Sequence, residues 1–440
     1  MAIGSFKLPN TAGAAVDPDA WVRPTDWLAM PTIGTQEFIG LLAITDDESN
    51  HIALLCAGAY TVDWGDGVTE NVATGVKAQH TYTYSAISSG TLSTRGYKQV
   101  LVRVTPQAGQ NLTTVNLQQT NSIINKSYCT GWLDISVNGS NITTLTLGGS
   151  VVRQSMCERV IIGSIGTITS FQNFFYLLHS LQSVNLFNTA SGTNFTNMFN
   201  NCHSLQSVPL FNTSAGTTFN NMFASCFSLK EVPLFNTAVG TNFSSMFVSC
   251  STLKTIPLIN TALGTTFANM FANCESLQPV PLLNTALGTT FAGMFSLCYS
   301  LQTVPLLNTG AGTAFNSMFI GCVSLPFVPL LNTASGTNFS NMFTDCTSLQ
   351  LLPNFNTAAG TNFGSILSNN VTLAKGAFQG TRYAISYTNM CLSQSAIVDI
   401  FNGLGTAVGT PTITVSGNPG YAALTAAERL IATNKGFTIA

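Results

Sequence analysis

The chain has 440 residues, of which 45% are hydrophobic and only 7% are charged, and its formal net charge is −2. So little charge argues against nucleic acid or an anionic membrane as a partner, and no apolar run approaches the roughly 18 residues that cross a bilayer. We expect no nucleic-acid binding and no membrane insertion. The first residues lack a secretory signal pattern, which favours a protein made in a cytosol that ends in an assembly or outside the cell.

Residues 1–35 are rich in Pro, Ala and Gly and contain Trp21 and Trp27. An apolar, proline-interrupted segment with few charges is a poor candidate for a free soluble tail. We predict that this segment is an extended N-terminal docking arm in which the two tryptophans attach the protein to a partner.

Residues 36–106 alternate apolar and polar residues around the turn sequence WGDG at 64–67. The turn, the strand HTY at 80–82 and the strand KQVLVRVTP at 98–106 resemble those of polycystic-kidney-disease (PKD) type β-sandwiches. The resemblance implies a spacer or adhesion module rather than a catalyst.

Three polar residues of this segment are candidates for a site. Asp63 and Asp66 could bind a cation, although acidic turn residues more often accept hydrogen bonds from nearby backbone N–H groups. His80 lies in the HTY strand, where a structural role is favoured over a catalytic one. We predict no metal at this position.

Residues 107–180 contain the strand-like sequences LTTVNL, ITTLTL and CERVIIG at irregular spacing. They read as degenerate repeats, which would form the N-terminal cap of the repeats that follow.

From residue 181 to 375 the chain repeats a 24-residue unit of the form LxxVPLxNTxxGTxFxxMFxxCxS. Phe219, Met222, Phe223 and Cys226 stand at i, i+3, i+4 and i+7, which is the apolar stripe of a short helix. The first half of the unit has the LxxLxL spacing of a leucine-rich repeat strand, shortened by a proline that cannot donate to a ladder. A unit of this size cannot bury its apolar side alone, so we predict a solenoid of stacked strand–helix units.

Seven cysteines recur at the same position of the unit. This spacing is typical of neither a metal site nor a disulfide framework, so we interpret them as a structural ladder of small core residues, with disulfides between units as the alternative. The seven are Cys202, Cys226, Cys250, Cys274, Cys298, Cys322 and Cys346.

The sequence MFASCFSLKEVPLFNT resembles the repeat of bacterial-surface leucine-rich repeat proteins, found in BspA-like adhesins, mycoplasma lipoproteins and many phage tail or virion proteins. The likeness covers about residues 181–373, or eight units. This chain departs from it with Pro where surface versions often carry Asp, and with Phe or Leu where they carry Ser. The resemblance implies a solenoid that binds other macromolecules but does not identify a ligand.

The residue after the second strand leucine is apolar in every unit. Because side chains alternate along a strand, we predict that this row points outward as a binding face. The alternative is that irregular backbone around the preceding proline turns the row into the core. The row consists of Phe187, Phe211, Phe235, Ile259, Leu283, Leu307, Leu331 and Phe355.

Residues 376–440 read as helix, strand, helix and short strand, which we interpret as a C-terminal cap; the ending also resembles the caps of phage-encoded leucine-rich repeat proteins. The predicted fold class is therefore mixed β and α/β, with a PKD-like β-sandwich, a leucine-rich repeat solenoid and a C-terminal cap.

No Ser-His-Asp order, phosphate loop, HExxH motif or paired-carboxylate spacing is present, so we expect no enzyme and no cofactor. We predict a phage virion structural protein, a tail fibre or head decoration, made in the host cytoplasm. Its partners would be other virion proteins or copies of itself, and a host-surface glycan or protein. The alternative is a bacterial cell-surface adhesin or scaffold protein.

Overall fold

The computed structural model describes residues 21–46, 50–123, 131–152 and 154–440. Most of its regular elements are short β-strands, and its two α-helices lie near the C-terminus. The strands are β1 (Gln36–Ile44), β2 (His51–Ala57), β3 (Tyr60–Asp63), β4 (Thr69–Val72), β5 (Lys77–Thr81), β6 (Lys98–Pro106), β7 (Thr114–Asn116), β8 (Trp132–Gly139), β9 (Thr144–Thr146), β10 (Arg159–Ile165), β11 (Ser183–Val184), β12 (Phe355–Asn356), β13 (Phe378–Gln379), β14 (Ile385–Ser386), β15 (Thr412–Thr414) and β16 (Thr438–Ile439), and the helices are α1 (Gln394–Gly403) and α2 (Ala426–Thr433). Two 3₁₀ turns, Tyr84–Ala86 and Ser89–Thr91, precede β6.

Two β-sheets form the N-terminal part of the molecule. The larger has the strand order β11-β10-β8-β1-β6-β3-β4, and the smaller has the order β5-β2-β7-β9. Strand β1 lies at the centre of the larger sheet, antiparallel to both β6 and β8. Its run FIGLLAI is buried throughout, as expected of a central strand covered on both faces.

The larger sheet continues into the repeats. Strand β10 runs parallel to β8 on one side and to β11 on the other, and β11 belongs to the first 24-residue unit. The strands predicted in LTTVNL, ITTLTL and CERVIIG are confirmed as β7, β9 and β10. One buried apolar cluster extends from Phe38 to Phe437.

Each repeat unit forms one coil of a β-solenoid. The coils are joined by a column of single-residue parallel bridges, one per coil, rather than by long strands. In most coils the predicted LxxVPL strand is irregular, consistent with a proline that removes a ladder donor. This column consists of Ser170, Asn194, Thr218, Asn242, Thr266, Thr290, Ala314, Asn338 and Asn362, and a second, shorter run of bridges joins Phe327, Leu351 and Lys375.

The predicted helix of the unit is absent from the coils, since residues 166–393 contain no α-helix. In its place stands a chain of tight turns. The backbone N–H of Met222 bonds the carbonyl of Phe219 (3.1 Å), and that of Cys226 bonds the carbonyl of Phe223 (3.1 Å). Alternate N–H groups reach the next coil instead, as Phe223 does to Met246 (2.9 Å). The predicted strand–helix unit is therefore wrong. Each unit is a series of turns whose backbone groups also form hydrogen bonds with the neighbouring coil.

Positive φ angles explain this outcome. Asn221 (φ 53°) and Ser225 (φ 57°) lie one residue before Met222 and Cys226, and a helix cannot contain such residues. A positive φ at the third residue of a turn is the type II geometry, for which Gly and Asn are preferred. The turns therefore recur every four residues, which produces the same i, i+3, i+4, i+7 apolar spacing as a helix.

Aromatic columns fill the coils. The Phe195 column continues through Phe219 and Phe243 to Phe363, with ring centroids 5.5–5.9 Å apart and nearly parallel planes. A Cβ at Gly216 would come within 2.6 Å of the Phe219 ring, so this position needs glycine for close approach.

The helix, strand, helix and short strand predicted near the C-terminus are present as α1, β15, α2 and β16, and two strands that were not predicted, β13 and β14, precede them. Strands β14, β15 and β16 form one parallel sheet. Thr425 and Glu428 form a capping box at the start of α2. The Lys435 ammonium donates to the carbonyls of Phe401, Asn402 and Leu404, which satisfies the end of α1.

Candidate binding surfaces

The row predicted as an outward binding face lies in the core. All eight side chains are buried, and Phe211 is 1% exposed. The interpretation as a binding face is therefore wrong for Phe187, Phe211, Phe235, Ile259, Leu283, Leu307, Leu331 and Phe355.

A tight turn at the proline reverses the expected orientation. The N–H of Phe211 donates to the carbonyl of Pro209 at 2.9 Å, which closes a three-residue γ-turn around Leu210. The same bond joins Phe235 to Pro233 and Ile259 to Pro257. Because the chain bends sharply at the middle residue, the leucine points outward and the residue after it points inward.

The outward residues form a leucine ladder, one leucine per coil over seven consecutive coils. Each side chain is 57–62% exposed, which is unusual for leucine repeated in register. The ladder consists of Leu186, Leu210, Leu234, Leu258, Leu282, Leu306 and Leu330.

The seven repeat cysteines are buried and free. Each thiol donates a weak hydrogen bond to a phenylalanine carbonyl 27 residues earlier, as Cys226 Sγ does to Phe199 (3.1 Å). In the last coil Asn370 takes the cysteine position, and its Nδ2 donates to the carbonyl of Phe343 (2.7 Å). The shared bond indicates that this position supplies a small buried donor to the coil before it.

Burial also raises the pKa of these thiols, because a thiolate in the dry core would lose its hydration. Desolvation brings the pKa of Cys274 to about 12, and the pKa of Cys346 to about 12. A thiol held neutral in this way is neither a nucleophile nor a metal ligand at ordinary pH.

The tryptophans of the predicted docking arm pack on the chain itself. Trp27 is buried against Leu41, Tyr97 and neighbouring apolar residues, and its Nε1 donates to Tyr97 Oη at 2.9 Å. Trp21 lies against Trp27 with ring centroids 6.3 Å apart. Residues 21–35 are thus bound to the larger sheet instead of extending to a partner, while residues 1–20 lie outside the described residues.

The acidic turn after β3 has a structural arrangement. Asp63 Oδ1 accepts the N–H of Gly65 (2.9 Å), and Asp66 Oδ1 accepts the N–H of Val68 (3.1 Å). His80 Nε2 lies 2.7 Å from Asp66 Oδ2, and its ring stacks on Trp64. Both carboxylates are engaged within the turn, which agrees with the favoured turn role.

No group of three or more His, Cys, Asp or Glu side chains within the described ranges is arranged to hold a metal ion. Over the same ranges, no helix is both long and apolar enough to span a bilayer.

The Asn and Thr residues of the unit hold the coils together. Thr213 is buried, and its hydroxyl donates to the carbonyl of Asn236 in the next coil (2.7 Å). Asn212 Oδ1 accepts the N–H of Ser214 (3.1 Å), closing a turn. These polar side chains are therefore committed to internal hydrogen bonds before any ligand is considered.

Sequence reasoning missed the leucine ladder by one residue. The signal was the recurring proline: Pro-Leu in six of the units fixes φ at the proline and favours a turn at the leucine. The first unit has Asn185 in place of the proline, and the last has Asn354 in place of the leucine. If side chains alternated as in an uninterrupted strand, the leucines of the ladder would be buried and the residues that follow them would be exposed.

The stacked coils, seven of which carry an exposed leucine at the same position, define a β-solenoid repeat protein, and these features fit a repeat surface protein. Three overlapping parts of the chain, residues 164–258, 229–326 and 265–381, match the model of a family described as "Mycoplasma protein of unknown function, DUF285".

A similar solved structure is titled "Crystal structure of TLR13-ssRNA13 complex", with 14% sequence identity and a TM-score of 0.25. The match covers 70% of this chain and 50% of that chain, so this chain spans about half of its length. The comparison with curated proteins gives no match.

Proposed function

We propose that this chain is a non-enzymatic phage virion structural protein, a tail fibre or head decoration, that serves in assembly and host-surface adhesion. The observation that carries the proposal is the leucine ladder. Seven half-exposed leucines in register form one continuous apolar strip, and strips of this kind usually mark a contact surface.

The low charge of the chain strengthens this argument. Only 7% of its residues are charged, so little repulsion opposes association through an apolar strip. A protein of this composition is best kept soluble by having the strip covered. The covering surface would be another copy of the chain or a neighbouring virion protein.

The resemblances noted in the sequence add detail to the proposed function of two parts of the chain. Residues 36–106 would be a PKD-like spacer, and the coils a variant of the leucine-rich repeat. Two acidic side chains support binding rather than catalysis, because other residues hold them: Asp66 bonds His80, and Glu158 bonds Arg95 and Trp21.

The test compares two pairs of substitutions in the same two coils. Leu258→Asn with Leu282→Asn alters the ladder, whereas Leu263→Asn with Leu287→Asn alters leucines that are 45% and 49% exposed at another position of the unit. Each pair is supplied during infection, and its amount in purified particles is measured by quantitative mass spectrometry.

The ladder pair should melt at the same temperature as the parent chain, and its incorporation should fall by about tenfold or more. The other pair should be incorporated normally. Equal incorporation of both pairs would remove the ladder as the assembly surface.

A bacterial cell-surface adhesin or scaffold is the second candidate, and the match to a mycoplasma family favours it. The two candidates differ in where the protein is found. A virion protein co-purifies with particles and is encoded among capsid and tail genes, whereas a surface protein is removed from intact cells by external protease.

A further inference from the structure

A groove of about 540 Å³ opens beside Trp21 over the first three coils. Its volume lies within the range of about 300–1,000 Å³ that is usual for small-molecule sites. Each coil contributes two neighbouring residues: Gln182 and Ser183, then Gln206 and Ser207, then Lys230 and Glu231.

Trp21 is fixed at this groove by Glu158. The indole Nε1 donates to Glu158 Oε2 at 2.9 Å, and that carboxylate also pairs with Arg95. The main-chain carbonyl of Glu158 accepts the N–H groups of Gln182 (2.9 Å) and Ser183 (3.1 Å). One buried residue therefore sets the aromatic ring at a defined place beside the first coil.

Within the described ranges, the amides and hydroxyls of the groove are not committed elsewhere. Gln182, Ser183, Gln206 and Ser207 make no side-chain hydrogen bond to any part of the chain that the structure describes, in contrast to Thr213 and its equivalents. Gln206 Oε1 is shielded from solvent and has no partner, so rotating this amide toward a ligand breaks no internal hydrogen bond.

At the equivalent positions of later coils, the side chains differ from those that line the groove. Its later positions include the Pro326–Phe327 pair and Leu351, which offer no side-chain donors. Gln278 and Gln302 occupy the glutamine position, but they are exposed and lie outside the groove. The combination of a fixed tryptophan with free amides and hydroxyls is thus confined to the first coils.

Charge favours a neutral ligand. Lys230 and Glu231 carry opposite charges at one end of the groove, and the other residues of the first two coils are uncharged. The C–H face of a pyranose ring packs on the electron-rich face of an indole, and its hydroxyls match amide and serine groups.

We propose that this groove binds a neutral oligosaccharide, with a sugar ring on Trp21 and hydroxyls bonded by Gln182 and Gln206. The inference rests on the adhesive part of the proposed function and supplies its ligand class.

The test uses the purified full chain with chitohexaose, maltohexaose and cellohexaose as probes. Tryptophan emission is a suitable signal because Trp27, Trp64 and Trp132 are buried, which leaves Trp21 as the partly exposed indole. Calorimetry on the same samples gives an independent dissociation constant.

At least one probe should bind saturably, and both Trp21→Ala and Gln206→Ala should weaken it by about tenfold or more. Gln302→Ala, at the same position of the unit four coils away, should bind like the parent. Absence of binding for all three hexamers, or binding unchanged in Trp21→Ala, would overturn the proposal. The ladder pair Leu258→Asn with Leu282→Asn should bind sugar normally, so failure of the groove and failure of assembly are distinguishable.

Discussion

Single residues stabilise the solenoid by repeating one buried contact in every coil. Met270 is fully buried between its equivalents in the neighbouring coils. Met270→Asp places an unpaired charge in this dry column and should cost about 4 kcal/mol or more, while Met270→Leu should cost less than about 1.5 kcal/mol. Urea unfolding of the two variants measures the difference. Equal midpoints would mean that this position faces water.

The cysteine column makes stability depend on alkaline pH. Burial raises the pKa of Cys274 from its ordinary value of 9.0 to about 12. Between these values the unfolded chain releases a proton that the folded chain keeps, so stability is full below pH 9 and falls as pH rises toward 12. The other six repeat thiols are shifted in the same direction.

The measurement is the urea midpoint between about pH 8 and 10.5. Cys274→Ser should make the alkaline decline less steep by removing one of the titrating groups. Cys391→Ser, which changes an exposed thiol, is the control and should leave the decline as in the parent. An identical slope in all three chains would contradict the coupling.

The buried Phe, Met and Cys positions could be predicted because a 24-residue period places equivalent side chains in one column whatever the backbone does between them. The orientation at the proline could not be predicted in this way. Alternation along a strand assigns Leu210 to the core and Phe211 to the surface, and a γ-turn exchanges them.

At the scale of elements, one substitution should change stability in opposite directions in a chain of turns and in a helix. Asn269 has a φ of 53°, and none of the side-chain hydrogen bonds within the described ranges involves it. In a turn, Asn269→Ala should cost about 1 kcal/mol because alanine disfavours positive φ, whereas Asn269→Gly should be nearly neutral. In a helix, the alanine would stabilise by about 0.5 kcal/mol. Thermal melting of both variants decides the sign.

The sequence contained a signal for the turns that the apolar spacing masks. The fourth-residue positions are mostly Asn, Ser or Gly, such as Asn221, Ser225 and Gly293, and these are weak helix formers that tolerate positive φ. Over eight residues, turns that recur every four residues place apolar side chains at the same positions as a helix with 3.6 residues per turn. The apolar spacing alone therefore cannot distinguish the two structures. The cap helices were predictable because α2 has its own capping box and charged residues.

The N-terminal segment gives a second prediction at this scale. Trp27 is buried against the larger sheet and bonded to Tyr97, so Trp27→Ala should destabilise the protein by about 3–5 kcal/mol. A tryptophan that served only to dock a partner would leave the melting temperature unchanged. Differential scanning calorimetry of the isolated chain distinguishes the two roles.

The whole molecule is one continuous stack. The larger sheet passes from β1 through β8 and β10 into the first coil, and the apolar cluster continues to the cap. The sequence predicts separate domains before and after residue 181, because the 24-residue period begins abruptly near that residue. Parallel pairing between unlike strands, such as β8 with β10, carries no periodic signal, so this continuity could not be predicted.

Stacking in register is the central claim, and deletion of one unit tests it most directly. Removing residues 253–276 deletes one full period and joins Thr252 to Leu277, which restores every column; removing residues 265–276 deletes half a period. We predict that the first variant unfolds cooperatively near the melting temperature of the parent, because each coil contacts only its neighbours. The second variant should lose cooperative melting, since its turns would face the wrong half of the next coil. If both deletions melted alike, the stacked-coil account would be contradicted.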